Sequence, residues 1–239
     1  MRIKEFGESD LLVTFFTPDK GQQKGVAKGA RRSLKRFVNC LDLFSLVNLE
    51  YRIKKSGGDL CFINSGKLVD AYPGLRCDFS TLTRASYMIE LTEILFPSGV
   101  ADEAMFLLLR ESLRNLEEGS NREMTRILFE ARAMALGGYK IDLGSCCICG
   151  RTYTGRGSAV FKRERGGIAC LNCQNASKIA PSMSPSAVDL LDKMQTGRID
   201  GTAFVESGGG ILDEIASVLK LHREYRLGLK PKTACYLES

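Results

Sequence analysis

Two pairs of cysteines constrain the fold of this chain more than any other feature of its sequence. Each pair encloses two residues, and 20 residues separate the first pair from the second. This spacing is the zinc-ribbon pattern, in which each pair forms a tight knuckle and the four thiolates complete a tetrahedral Zn²⁺ site. The sequence therefore predicts one metal site, with the ligands Cys146, Cys149, Cys170 and Cys173.

The predicted zinc is structural, because four thiolate ligands leave no open coordination position for water or substrate. Cys147 lies inside the first knuckle and is not expected to be a ligand. The single histidine of the sequence, His222, lies far along the chain, and we expect it on the surface of a helix. Iron–sulfur ligation stays open as an alternative, although thiols paired in two knuckles favour zinc.

The composition indicates the compartment. Nine cysteines in a chain whose first residues contain no apolar export signal indicate a reducing cytosol, where clustered thiols bind metal more often than they form disulfides. No apolar run approaches the roughly 18 residues that span a membrane. We therefore expect a cytoplasmic protein without a membrane partner.

Short strand patterns occupy the first part of the chain. Residues 11–17 are β-branched and aromatic, and the turn sequence of residues 18–21 follows them. Residues 43–53 and 60–64 flank Gly57-Gly58, as the two strands of a hairpin do. Several short strands in fewer than about 80 residues predict a small barrel or sandwich.

Helical spacing of apolar residues replaces the strand pattern after residue 80. It covers residues 84–96, 101–118 and 121–136, and it resumes after the cysteines over residues 184–195 and about 211–227. Glycines that end helices follow the second and third of these segments. The later part of the chain is therefore predicted to be helical, with the cysteine-rich segment interrupting the helices.

A basic stretch, residues 20–36, contains seven cations and no acidic residue. Such a stretch attracts phosphates, and aromatic residues on neighbouring strands could stack on bases if they are not core residues. Those aromatic residues are Phe15, Phe16, Phe37, Phe44 and Tyr51. The candidate nucleic-acid contacts are Lys20, Lys24, Lys28, Arg31, Arg32, Lys35 and Arg36.

A second basic cluster lies between the two cysteine pairs. It either contacts nucleic acid or only favours solubility, since zinc ribbons often carry charged surfaces. The second basic cluster consists of Arg151, Arg156, Lys162, Arg163 and Arg165.

The sequence contains no arrangement of nucleophile and base that indicates an enzyme. It has no G-x-S-x-G, no P-loop and no G-x-G-x-x-G at the start of a helix. We therefore expect a binding protein. A zinc-ribbon RNA-binding or ribosome-associated protein is one alternative, and a metal-dependent nuclease is a second.

Segments throughout the chain, in the same order, resemble the RecO family. The resemblance rests on residues 6–10, 16–21, 26–32, 41–47, 72–76 and the cysteines of residues 146–173. It implies an α+β multidomain protein, with an N-terminal OB-fold β-barrel over residues 1–80 and an all-α domain over residues 81–239. A zinc-finger insert with four cysteine ligands would occupy about residues 144–178. Only residues 1–6 precede the Gly-Glu-Ser-Asp run of residues 7–10, so the first strand is expected to be shorter than is usual in the family.

The resemblance also implies a function. Members of the family are recombination mediators that bind single- and double-stranded DNA, anneal complementary strands and help to load recombinase onto strands coated with single-strand-binding protein. The implied partners are DNA, RecR and the C-terminal tail of single-strand-binding protein, and the implied location is the nucleoid. The last predicted helix, around Lys220, Arg223 and Arg226, is one candidate for holding this acidic tail. By this analogy the basic stretch lies on the OB barrel and holds DNA.

Overall fold

A computed structural model describes residues 2–53, 60–174, 181–198 and 209–237. Contacts divide the chain into two units, Met1–Arg122 and Glu123–Ser239. The domain boundary that the sequence predicts near residue 80 stays a prediction. The glycine pair of the predicted hairpin and residues 175–178 of the predicted insert lie outside the described residues.

The first unit begins with five strands that form one sheet in the order β1-β2-β3-β5-β4. All neighbouring strands are antiparallel except β3 and β5, which are parallel. Within the described residues, β1 and β4 each pair on one side only, so the sheet is open and a closed barrel is not confirmed. The strands are β1 (Arg2–Phe6), β2 (Asp10–Thr17), β3 (Gly21–Ala27), β4 (Leu46–Ile53) and β5 (Leu60–Asp70).

The β3 strand was not predicted, because its sequence, GQQKGVA, is poor in β-branched and aromatic residues. Glycine is required in it because β5 packs closely against it. A Cβ atom on Gly25 would lie 2.7 Å from the Cys61 Sγ atom and 2.8 Å from the Ile63 Cγ1 atom. This central strand therefore depends on close backbone packing, which a propensity-based reading of the sequence does not detect.

One face of this sheet forms an apolar core. The chain between β3 and β4 crosses it, so Phe37 and Cys40 are buried beside Phe15 of β2. Phe44 is also buried, and the edge of the Phe15 ring meets the Tyr51 ring with centroids 5.3 Å apart. Phe15, Phe37 and Phe44 are therefore core residues, and their rings are not available to stack on bases.

In the described part of the first unit, the sheet is followed by two α-helices, α1 (Phe79–Leu95) and α2 (Glu103–Glu117), which pack against each other. Each helix is capped by an aspartate whose carboxylate accepts a backbone N–H of the first turn. Asp78 accepts the Thr81 N–H in α1, and Asp102 accepts the Met105 N–H in α2. The sequence predicts that the first helix starts at residue 84, which is five residues after the observed start of α1. It predicts that the second helix starts at residue 101, which is two residues before the observed start of α2.

Within the described residues, the second unit combines three α-helices with a four-stranded sheet in the order β6-β8-β7-β9. The β6 and β8 strands are parallel, and β7 is antiparallel to both β8 and β9. The helices are α3 (Arg122–Leu136), α4 (Pro185–Thr196) and α5 (Gly209–Leu227). The strands are β6 (Asp142–Cys146), β7 (Ala159–Lys162), β8 (Gly167–Cys170) and β9 (Ser182–Met183).

This sheet and the three helices share a single apolar core. Phe161 of β7 and Ile168 of β8 belong to the same buried cluster as Ile127, Leu191 and Ile215 of the helices. The prediction of an all-α domain carrying a zinc-finger insert is therefore not confirmed in this form, because the strands supply part of the core that the helices need.

Candidate metal centre and nucleic-acid interface

The four predicted ligands lie together at the ends of two parallel strands. Cys146 ends β6 and Cys170 ends β8, and the partner of each follows in the next turn. All four Sγ atoms lie within 4.8 Å of one another, and the Sγ atoms of Cys149 and Cys170 are 3.9 Å apart. Cys147 is not a member of this cysteine cluster, as the sequence predicts.

Backbone hydrogen bonds shape each knuckle. The Gly150 N–H donates to the Cys146 carbonyl at 2.9 Å, and Gly150 has a φ of 73°, which favours glycine. In the second knuckle the Cys173 N–H donates to the Cys170 carbonyl at 3.0 Å. The knuckles are also joined to each other, because the Cys170 N–H donates to the Cys146 Sγ atom at 3.3 Å.

The electrostatics of the cysteine cluster favour a bound cation. Burial raises the pKa of the Cys146 thiol, but the backbone N–H groups of Cys149, Cys170 and Ile148 outweigh burial and lower this pKa to about 6. The neighbouring sulfurs, first those of Cys149 and Cys170, raise the pKa of Cys173 to about 12. One thiol thus ionises readily while the crowded sulfurs resist a second negative charge, and a dication would remove that resistance.

The spacing of the sulfurs fits a single ion. A tetrahedral zinc site with bonds of about 2.3 Å has sulfur atoms about 3.8 Å apart, close to the 3.9 Å between Cys149 and Cys170. Four thiolates fill all positions of such a site, so the cysteine cluster can fasten two strands but has no position for substrate.

The basic stretch spans three local structures, and all seven of its candidate contacts are exposed. Lys20 lies in the turn before β3, Lys24 on β3 and Lys28 just after it, and the four remaining cations follow in a 3-10 turn and a bend. A strand as long as β3 spans about 20 Å. The structure therefore groups the five cations from Lys28 to Arg36 and leaves Lys20 at the opposite end of the strand.

Two arginines of this group also hold the backbone. The Arg36 Nη2 atom donates to the Lys28 carbonyl at 2.6 Å, and the Arg36 guanidinium lies 5.1 Å from the centroid of the Phe37 ring. The Arg31 Nη1 atom donates to the Glu8 carbonyl at 3.4 Å, and its guanidinium also pairs with the Glu5 carboxylate at 3.2 Å. Within the described residues, Arg32 and Lys35 have no such partner, so both cations are available to a ligand.

His222 and Arg223 are not surface residues, contrary to the expectation from the sequence. Their exposed fractions are 1% and 4%. The His222 Nε2 atom lies 2.8 Å from the Tyr139 carbonyl, and Arg223 pairs with Glu130 inside the core. The spacing could have shown this, since both residues continue the buried series Ile215, Val218 and Leu219 at helical intervals. Arg223 is therefore not available to bind an acidic peptide.

Among the described residues, no helix combines the length and the apolar character that crossing a membrane requires.

Comparison with known proteins decides the family. The family model for the recombination protein O N terminal region matches residues 1–72, and the model for its C terminal region matches residues 76–234. This chain belongs to the RecO family. The two models together cover nearly all of the chain, and they meet between β5 and α1.

Similar proteins support the RecO assignment over the same length. A DNA repair protein RecO from Desulfatibacillum aliphaticivorans is 33% identical over 241 residues, which cover 100% of this chain and 93% of the relative. One from Geobacter metallireducens is 32% identical, covering 87% and 85% of the two chains. One from Syntrophotalea carbinolica is 36% identical, covering 71% and 65%. Membership of the RecO family supports a role in recombination repair.

Proposed function

We propose that this RecO protein is a non-enzymatic recombination mediator that binds single- and double-stranded DNA and anneals complementary strands. It neutralises the phosphates of two strands at once, which lowers their mutual repulsion and lets bases pair. It also helps recombinase to load onto strands coated with single-strand-binding protein. The observation that carries the proposal is the group of exposed cations from Lys28 to Arg36 beside an open five-stranded sheet.

The sheet supports an OB-type assignment for this part of the chain. OB-folds are five-stranded, partly open barrels that bind oligonucleotides across one face and through neighbouring loops. The order β1-β2-β3-β5-β4 with one parallel pair agrees with that type. In our proposal the DNA backbone follows the turn after β3, where Arg32 and Lys35 contact phosphates.

Zinc has a structural role in this proposal. Cys146, Cys149, Cys170 and Cys173 hold it, and it fastens β6 to β8 without contacting DNA. We further propose that the protein works in the cytoplasm at the nucleoid, with RecR and the C-terminal tail of single-strand-binding protein as its partners. The tail requires a site other than Arg223, because that side chain is paired inside the core.

Strand annealing tests the proposal directly. Complementary oligonucleotides coated with single-strand-binding protein are mixed with and without this protein at two salt concentrations and without ATP. We expect acceleration that weakens as salt rises, since each phosphate contact contributes about 0.7 to the log–log salt dependence of single-strand binding. No acceleration by folded, zinc-loaded protein would refute the mediator function.

Charge reversal locates the DNA contacts. The double variant Arg32→Glu with Lys35→Glu is expected to bind DNA more weakly and with a shallower salt dependence. The control reverses Lys140 and Lys193 of the second unit, both exposed, and makes the same change in net charge. Equal losses in the two variants would mean that only overall charge matters.

Two further measurements separate the alternatives. Tighter binding of RNA than of DNA oligonucleotides of the same sequence would favour an RNA-binding protein. Cleavage of labelled DNA in the presence of magnesium or manganese would show a nuclease, and we expect none.

A further inference from the structure

An exposed tyrosine at the end of α5 lies among arginines of the second unit. The Tyr225 side chain is 46% exposed. The guanidinium carbons of Arg163 and Arg226 lie 5.8 and 5.9 Å from the centroid of its ring, within the range of a cation–π contact. We call these three residues the tyrosine platform.

Rigid elements fix the tyrosine platform from both sides. One turn earlier in α5, the His222 ring meets the edge of the Phe161 ring of β7 at 5.8 Å between centroids. Arg163 follows β7 directly, in the turn that leads to β8. The Arg226 guanidinium lies against this turn, where a Cβ atom on Gly166 would come within 2.2 Å of its Nη2 atom. The helix that carries Tyr225 and the turn that carries Arg163 therefore have a defined spacing before any ligand binds.

The same turn is joined to the cysteine cluster. The Arg165 Nη1 atom donates to the Cys147 carbonyl at 2.9 Å, and the Cys147 N–H donates to the Ile168 carbonyl at 2.8 Å. The first knuckle thus supports the turn that carries Arg163 and Arg165. This connection gives the second basic cluster a defined position, which charges placed only for solubility do not need.

The charges around the ring favour an anionic ligand. Arg163 and Arg226 supply two cations at the ring, and Lys162 and Arg165 flank Arg163 in the chain. An acidic residue, Glu164, pairs with Arg163 at 3.0 Å. Both side chains of that pair are more than half exposed, so the ion pair is weak and Arg163 can exchange Glu164 for a phosphate. When Arg163 turns to a phosphate, the face of the Tyr225 ring becomes available to a base.

We propose that the tyrosine platform is a second binding site for single-stranded nucleic acid, in which a base stacks on Tyr225 while Arg163 and Arg226 contact the flanking phosphates. An exposed aromatic ring between guanidinium groups is the arrangement that proteins use to bind bases without regard to sequence. The inference rests on the proposed function and gives the protein a second place to hold a strand.

Tryptophan fluorescence tests the site directly, because the chain contains no tryptophan. The variant Tyr225→Trp places the only such fluorophore in the platform, and stacking of a base is expected to quench it. The probe is an oligodeoxythymidine of about 16 nucleotides. The control is Phe79→Trp, at an exposed aromatic position at the start of α1.

Binding of the same probe is followed in parallel by the anisotropy of a label on the DNA. We expect the tryptophan fluorescence of Tyr225→Trp to be quenched with the same midpoint as the anisotropy curve. We expect the fluorescence of Phe79→Trp to stay unchanged. Binding by anisotropy without quenching at position 225 would overturn the platform and leave the mediator function standing. Absence of any DNA binding would overturn both.

Affinity gives an independent readout. Replacing a stacking aromatic residue by alanine weakens single-strand binding by about 5- to 150-fold, so Tyr225→Ala is expected to bind in that weaker range. Tyr225→Phe keeps the ring and is expected to bind like the original protein. Unchanged affinity of Tyr225→Ala, with zinc content and melting temperature also unchanged, would contradict the proposal.

Discussion

The Arg223 Nη1 atom donates to the Glu130 Oε1 atom at 2.6 Å, although the two side chains are only 5% and 1% exposed. The other carboxylate oxygen of Glu130 accepts from Arg126 at 2.9 Å. One buried carboxylate thus accepts hydrogen bonds from two guanidinium groups, one on α3 and one on α5. This arrangement links the two helices and excludes Arg223 from any role on the surface.

Removing the charge of Glu130 is expected to destabilise the second unit strongly. Glu130→Gln removes the negative charge that the buried Arg223 contacts, and breaking such a pair costs about 3–5 kcal/mol. The control is Glu123→Gln on the same helix, at a carboxylate that contacts Arg126 but is 42% exposed, for which we expect a loss below about 1 kcal/mol. Urea unfolding measures both. Similar losses in the two variants would show that burial does not decide the effect.

Stability should fall in mild acid because of His222. Burial is the main cause that lowers the pKa of its imidazole below the usual 6.5, and the charge of Arg226 also lowers this pKa. The Tyr139 carbonyl and the Glu130 carboxylate raise it, but by less. The neutral ring stabilises the fold fully above about pH 6.5. This contribution is lost as the pH falls from there toward the pKa of the folded state, by at most about 1.4 kcal/mol per pH unit.

Unfolding of the original protein and of His222→Gln at pH 7.5, 6.5 and 5.5 tests this contribution. The variant is expected to be less stable at pH 7.5 but to lose less on acidification. Parallel pH dependences would place the acid sensitivity in other groups.

Loss of one cluster thiol is expected to remove the metal and loosen the fold. Cys170→Ser should lose its zinc and melt about 10 °C lower, since metal binding and folding free energy are linked in such sites. Cys147→Ser, at a thiol outside the cysteine cluster, should keep one zinc and its melting temperature. Zinc analysis and thermal unfolding decide the matter. Because the basic stretch belongs to the other unit, we expect DNA binding there to suffer less than stability. A metal-free Cys170→Ser protein with normal melting would contradict the structural role.

A methyl group at Gly21 is expected to destabilise the first unit. Gly21 has a φ of 64°, and a Cβ atom there would lie 1.9 Å from the Val100 carbonyl oxygen. Gly21→Ala therefore combines backbone strain with a clash against main chain, and we expect a loss above about 2 kcal/mol. Gly7→Ala is the control, because its φ is 68° but nothing lies within 4 Å, so strain alone should cost about 1 kcal/mol. Equal losses in urea unfolding would mean that the clash relaxes.

The features that the sequence predicts well depend on residues close together in the chain. The cysteine knuckles need only two intervening residues, and Ser184, the first residue of the predicted segment 184–195, accepts the Ala187 N–H at 3.3 Å. Gly119 and Gly138 adopt the positive φ angles that end α2 and α3. Local geometry determines each of these features, and a single sequence contains it.

The features that were missed depend on packing between distant segments. β3 is a strand because β2 and β5 pair with it on both sides, and its own residues do not favour that state. His222 was assigned to the surface because histidine is polar, although its spacing from Ile215 and Val218 indicates the buried face. The shared core of the second unit could not be foreseen, since no local pattern shows which helices will cover β7 and β8.

The cysteine cluster joins two strands, because two of its ligands end β6 and β8 and the other two lie in the turns that follow these strands. With zinc bound, the stability of the second unit depends on the concentration of free zinc in the cell as well as on its own packing. Each tenfold fall in free zinc, while it exceeds the dissociation constant, removes about 1.4 kcal/mol from the folded state. A margin of a few kcal/mol is typical of small folded units, so the amount of active protein in a zinc-starved cell would decline through unfolding and proteolysis. The capacity of the cell for recombination repair would then depend on its supply of zinc, without any change in gene expression.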